Sequence, residues 1–138
     1  MTHQPSTTLE SLRLALTEFD AKHPRPLIGA TSDLIQTLVL EEGRWGSYWD
    51  KGAFLNLYAD EPCVYCFFDQ AGELVYIGRA KVLGHRFGAH FSKDGLGVTH
   101  AKSLALIPVP RECWFEILAI EAYLIEKLRP LHNKRIFA

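Results

Sequence analysis

The chain has 138 residues, 48% of them hydrophobic and 22% charged, with a formal net charge of −1. This suits one globular domain and, with no apolar run near the ~18 residues that a bilayer needs, gives no sign of a membrane span. The N-terminus, MTHQPSTTLE, has neither the basic nor the apolar region of a secretory signal, and three cysteines are an odd number for a disulfide framework, so a reducing cytoplasm is expected. A net charge close to zero also argues against a generic nucleic-acid binder, but its distribution is uneven. Residues 1–78 hold five Lys/Arg against eleven Asp/Glu, and residues 79–138 hold ten against five, so the second part carries +5. Such a half can present a basic surface to a polyanion.

Thr7-x-x-Glu10 reads as a capping box opening a first helix, with Leu9, Leu12, Leu16 and Phe19 as its apolar stripe and Pro24 and Pro26 ending it. A second short helix is expected after Ser32 or Asp33, burying Leu34, Ile35 and Leu38 and ending near Gly43. Residues 45–58, WGSYWDKGAFLNLY, hold five aromatics; packing of the arm onto a sheet is favoured over a base-stacking surface. No tandem repeat or low-complexity segment is visible.

Cys63–Phe68 and Glu73–Gly78 are β-prone runs around a polar loop containing Gly72, a hairpin signal. Pairing Phe68 with Glu73 would set Tyr65 opposite Tyr76, two phenols on one face. A helix is expected from about Ala80. Arg79, Leu83, Arg86 and His90 then fall on one helical face, with Lys81 and His85 nearby, and arginine forks suit phosphate oxygens. Cys63-x-x-Cys66 lacks the helix N-terminus of a redox pair and the further ligands of a zinc site, so neither role is assigned.

After a polar loop over 92–99, a third strand is expected over Ser103–Val109, with Pro108 at an edge or exit. A last helix should run from about Arg111 to Leu128, burying Trp114, Leu118, Ile125 and Leu128. Glu121 lies two turns beyond Trp114, on the same inner face. A carboxylate there needs a partner, either a salt bridge to an arginine such as Arg86 or a hard cation such as Mg²⁺. Glu112, Glu116 and Glu126 read as outward, solvated charges.

These residues resemble the GIY-YIG nucleases. Val64-Tyr65 is similar to the end of the first signature element and Tyr76-Ile77-Gly78 matches the second, although Cys63 stands where the first has glycine. Arg86 lies ten residues after Tyr76, His90 follows, Glu121 resembles the metal-binding glutamate, and Pro130 and Asn133 fit the closing P-x-x-N pattern. The resemblance covers about half the chain. It implies an α/β fold, a small three-stranded antiparallel or mixed sheet flanked by helices, here with an N-terminal helical and aromatic extension (1–60) packed on a nuclease-like core (61–138).

The resemblance also implies phosphodiester hydrolysis in DNA, with Glu121 holding one Mg²⁺ (or Mn²⁺). Arg86, with Arg79, Lys81 and His85, would bind phosphate. Tyr76 is the expected base with Tyr65 orienting the water, His90 would assist proton transfer or bind phosphate, and Asn133 would fix geometry. A phenol ionises only near pH ~10 in water, so the base role calls on nearby cations. With no room for a large recognition domain, specificity would be low, lie in the arm, or come from a homodimer or partner protein. Two other readings compete: a non-catalytic nucleic-acid-binding or partner-docking module on the same fold, and a purely structural interaction protein.

Overall fold

The computed structural model describes residues 7–25, 30–41, 45–84, 101–130 and 133, with only the backbone of Trp45 and Gly46. Its centre is a four-stranded antiparallel sheet of β1 (Gln36–Val39), β2 (Cys63–Phe68), β3 (Leu74–Ala80) and β4 (Ser103–Pro108), in the order β1-β4-β2-β3. Among the described residues three α-helices flank it: α1 (Leu9–Lys22), α2 (Phe54–Leu57) and α3 (Glu116–Leu128). The α/β class thus stands, with one strand more than the expected three.

The extra strand replaces the second helix expected from the sequence. Thr31–Leu34 forms a single 3₁₀ turn, and the chain then extends into β1, which pairs Gln36 with Leu106 and Val39 with Ser103. Burial alternates along β1 with period two, so Leu38 faces inward while Val39 stands in solvent. The free edge of β4 offers these residues backbone partners, and this tertiary pairing outweighs a short helical pattern containing β-branched Thr37 and Val39.

All six residues of β2 are buried because the sheet is covered on both faces. Val64, Cys66 and Phe68 meet α1 and α3 through Leu12, Leu16, Ile117, Ile120 and Leu124. Cys63, Tyr65 and Phe67 face a second layer built on Leu55 and Leu83, against which Tyr48, Trp49, Phe54 and Tyr58 pack. The aromatics of 45–58 with described side chains therefore pack the sheet, as favoured above.

Helix α1 starts one residue later than expected, at an N-cap on Thr8 that exchanges hydrogen bonds with Ser11, and its stripe of Leu12, Leu16 and Phe19 is buried. Its end is tied to α3. Asp20 Oδ1 accepts from Arg25 Nη2 and from Thr31 Oγ1, each at 2.6 Å, and Arg25 Nε lies 3.3 Å from Glu116 Oε2. Glu116 is thus not the outward, solvated charge expected of it. On the surface, Lys22 and Lys127 both reach Glu18 and hold its carboxyl down to about 2.

The inner face of α3 is also rotated from the expected one. Residues Arg111–Cys113 form a 3₁₀ turn, and the α-helix begins only at Glu116. That break resets the helical phase. Ile117, Ile120, Glu121 and Leu124 are buried, whereas Trp114, Phe115 and Leu118 are largely exposed. Glu121 keeps its inward position in both phases.

Candidate active site

The hairpin of β2 and β3 sets the site. Asp69 closes its loop: Oδ1 accepts from the amides of Ala71 and Glu73 at 2.9 and 3.0 Å, and Gly72 takes a φ of +82° that favours glycine. Phe68 then pairs with Leu74, not Glu73, and a β-bulge at Val75 brings Phe67 opposite Tyr76 and Tyr65 opposite Gly78. The shift totals two residues at the tyrosines. Two is the side-chain period of a strand, so Tyr65 and Tyr76 still share a face, now as diagonal neighbours with ring centroids 6.2 Å apart.

Gly78 is the seat of Tyr65. A Cβ at this position would stand 2.5 Å from Tyr65 Cζ and 2.6 Å from its hydroxyl oxygen, so only glycine lets the phenol lie across β3. Tyr65 is fully buried there, flanked edge-on by Phe67, while Tyr76 is half-buried. Sequence reasoning treated Gly78 only as a motif letter. Its signal was a glycine inside a strand opposite a large aromatic.

Asn133 meets the same strand from its edge. Its Oδ1 accepts from the Ile77 amide at 2.7 Å and its Nδ2 donates to the Ile77 carbonyl at 2.6 Å. One side-chain amide therefore pairs with the strand as a neighbouring residue would, holding Ile77 between Tyr76 and Gly78.

β3 runs on through Ala80, and the chain turns helical only at Leu83, so Arg79 belongs to a strand and not to the expected helical face. Alternation puts Arg79 on the Ile77 side of the sheet, towards α3. There its Nη1 donates to Glu121 Oε1 at 2.5 Å, and the side chains of Arg79 and Glu121 are 44% and 8% exposed. The described arginine partner of Glu121 is thus Arg79. The tyrosine rings lie on the opposite face of the same edge strand, so the two groups can meet only around that edge.

Lys81 is exposed, with Nζ 4.4 Å from the centre of the Trp114 ring, a cation–π contact. His85, Arg86 and His90 lie outside the described residues, as does the loop over 92–99. All three cysteines are free and buried. Burial, with Glu61 adding, pushes the Cys63 thiol up to about 12, and burial followed by Glu121 pushes Cys66 up as well. Thiols so raised are poor nucleophiles and ligands, in line with the absence of an assigned redox or zinc role.

Among the described residues no group of three or more His, Cys, Asp or Glu is placed to hold a metal. A buried carboxylate such as Glu121 suits a hard cation, not a soft one.

Residues 61–135 match the model of the GIY-YIG catalytic domain. The chain belongs to that family. With membership comes its class, an endonuclease domain and a hydrolase. Among curated relatives, the UvrABC system protein C of Pseudomonas fluorescens (strain Pf0-1) is 35% identical over 89 residues, covering 62% of this chain. That of Thermosipho africanus (strain TCF52B) is 40% identical over 88 residues, covering 61%. In both cases the match spans only 15% of the relative's length. The fold is shared with the GIY-YIG N-terminal endonuclease domain of UvrC from Thermotoga maritima, solved as a tyrosine-to-phenylalanine mutant bound to its catalytic divalent cation. The TM-score is 0.53 at 30% identity, covering 70% of this chain and 100% of that one. Within the described residues no helix is long and apolar enough to cross a membrane.

Proposed function

We propose that this chain hydrolyses phosphodiester bonds in DNA with one divalent cation, Mg²⁺ or Mn²⁺, held by Glu121. The observation that carries the reading is the buried Glu121 carboxylate. It faces Arg79 across the end of a strand whose Tyr76-Ile77-Gly78 segment is held by Asn133.

A bound cation supplies charge to the scissile phosphate and to the departing 3′ oxygen. Glu121 would hold it through its carboxylate. Tyr76, the more exposed phenol, takes the proton from the attacking water. Tyr65, locked over Gly78, orients that water and the Tyr76 hydroxyl. Asn133 keeps the intervening backbone in place, so both phenols stay at a fixed separation. Arg79 and Arg86 bring guanidinium charge to the phosphate and favour the phenolate of the base. Lys81 and His85 extend the basic rim, and His90 assists proton transfer or binds phosphate. The N-terminal arm belongs to the same body, since β1 completes the sheet and α1 the core, and target choice falls to that arm, a second copy or a partner protein.

The test is cleavage of supercoiled plasmid and of single-stranded oligonucleotides, with and without Mg²⁺. Wild type is expected to nick only with the cation, and Glu121→Gln and Tyr76→Phe to lose about a thousandfold in rate. DNA retention without cleavage by wild type would instead favour a binding module on this fold.

A further inference from the structure

We propose that the groove beside Trp114 receives an unpaired base of the nucleic-acid substrate, stacked on the indole, while Lys81 and Arg111 hold the neighbouring phosphates. The inference rests on the nuclease reading above and adds to it a preference for unpaired or splayed strands.

The ring stands where the helical pattern alone would not put it. Periodicity assigns Trp114 to the buried face of the last helix, but the 3₁₀ turn over Arg111–Cys113 leaves it 41% exposed. It lines a groove of about 450 Å³ with Asp60, Pro62, Lys81, Val82 and Arg111, within the size range of small-ligand sites. Lys81 Nζ lies 4.4 Å from the ring centre, and the Phe115 ring stands at 82° to the indole with centroids 6.1 Å apart. The indole is braced and open to solvent at once.

The groove continues the candidate active site. Arg79 near the end of β3 reaches Glu121, and Lys81, two residues on, reaches Trp114. Glu121 lies two turns beyond Trp114, about 10 Å along a helix. A strand with a phosphate at Glu121 has the groove within reach, about three nucleotides away at the rise of a stacked strand.

The chemistry of the lining selects a nucleotide. Stacking of a base on an aromatic ring is stronger than an exposed cation–π contact, so a base displaces the Lys81 ammonium from the indole and frees it for phosphate. Arg111 supplies a second cation. Its Nε is 4.0 Å from Glu61 Oε1, with side chains 66% and 36% exposed, too loose a pair to withhold it. Asp60 repels phosphate but accepts from the exocyclic amino group of a base. A paired duplex keeps its base faces stacked and offers the indole no partner. A protein partner fits less well, since lysine is depleted from the centres of protein interfaces.

The experiment is fluorescence anisotropy in EDTA, which prevents metal-dependent cutting, with a single strand of roughly 12 bases and a blunt duplex of the same length. The proteins are wild type, Trp114→Ala, Trp114→Phe and Lys81→Gln, each checked for folding by circular dichroism. Trp114→Ala should lose about tenfold in affinity for the single strand and under about twofold for the duplex, and Trp114→Phe should recover most of the loss. Lys81→Gln should lower the slope of log affinity against log salt by about 0.7 on the single strand. A 2-aminopurine within that strand should be quenched by wild type and less by Trp114→Ala, a signal that a merely structural role would not move. Cleavage of plasmid by wild type with Mg²⁺ tells the two possible failures apart. If wild type cuts and folded Trp114→Ala binds the single strand equally well, the groove proposal is overturned, the exposed ring is left to a protein partner, and the nuclease reading stands. Neither binding nor cutting by wild type overturns both. Should Trp114→Ala not fold, a wild type that leaves the 2-aminopurine unquenched overturns the proposal.

Discussion

Two arginines in this molecule bridge separate elements to a carboxylate on α3, and they do so in opposite ways. Arg25 is 11% exposed, stacks over the Phe19 ring at 4.2 Å, and is held between Asp20 and Glu116, both 17% exposed. Asp20 is itself bonded to Thr31 and Ser32, so that cluster fixes α1, the following turn and α3 as one piece. Arg79 is the reverse case: a half-exposed guanidinium on a single, more deeply buried carboxylate. Arg25 has carboxylates on two sides and an aromatic ring beneath it, so it is a lock. Arg79 has solvent behind it. The two pairs differ in the asymmetry of burial between their partners.

The largest effect on stability is expected at the lock. Arg25→Met leaves two carboxylates uncompensated and should cost about 3 kcal/mol, read by urea denaturation, with the turnover of the folded protein unchanged. Gly78→Ala should follow at about 2 kcal/mol, because its methyl group meets the Tyr65 ring. Unlike Arg25→Met it should also depress cleavage strongly, since the phenol must move. Asn133→Ala removes two hydrogen bonds to Ile77, about 1–2 kcal/mol, and hydrogen exchange should quicken at the Ile77 amide. Arg79→Met should be the mildest, under about 1 kcal/mol, because the Arg79 side chain is 44% exposed and its ion pair is screened by solvent. The contrast between the two arginines breaks if Arg79→Met costs as much as Arg25→Met.

Much of this was legible in the sequence, for physical reasons that can be named. The hairpin, the shared face of Tyr65 and Tyr76 and the inward position of Glu121 depend on short-range periodicity and motif spacing. Those survive a register shift of two or a rotated helix phase. What escaped was set by distant partners. β1 reads as a helix until the free edge of β4 is known, and Glu116 reads as solvated until Arg25 arrives from beyond α1. Arg79 reads as helical because nothing local marks the end of β3. The 3₁₀ turn at Arg111–Cys113 likewise moved Trp114 and Leu118 out of the core, since a break in helical phase leaves no trace in composition.

The pairing of Asn133 with Ile77 has a further consequence. β3 is the outermost strand on its side of the sheet, the kind of edge that invites addition of a foreign strand. Here the Leu74 amide donates to the Thr7 carbonyl at 2.6 Å, and both backbone groups of Ile77 are taken by Asn133. Segments from before α1 and after α3 thus seal one border together. An intruding strand would have to evict both, so the border that carries Tyr76 is guarded against self-association by the same contacts that hold the site in shape.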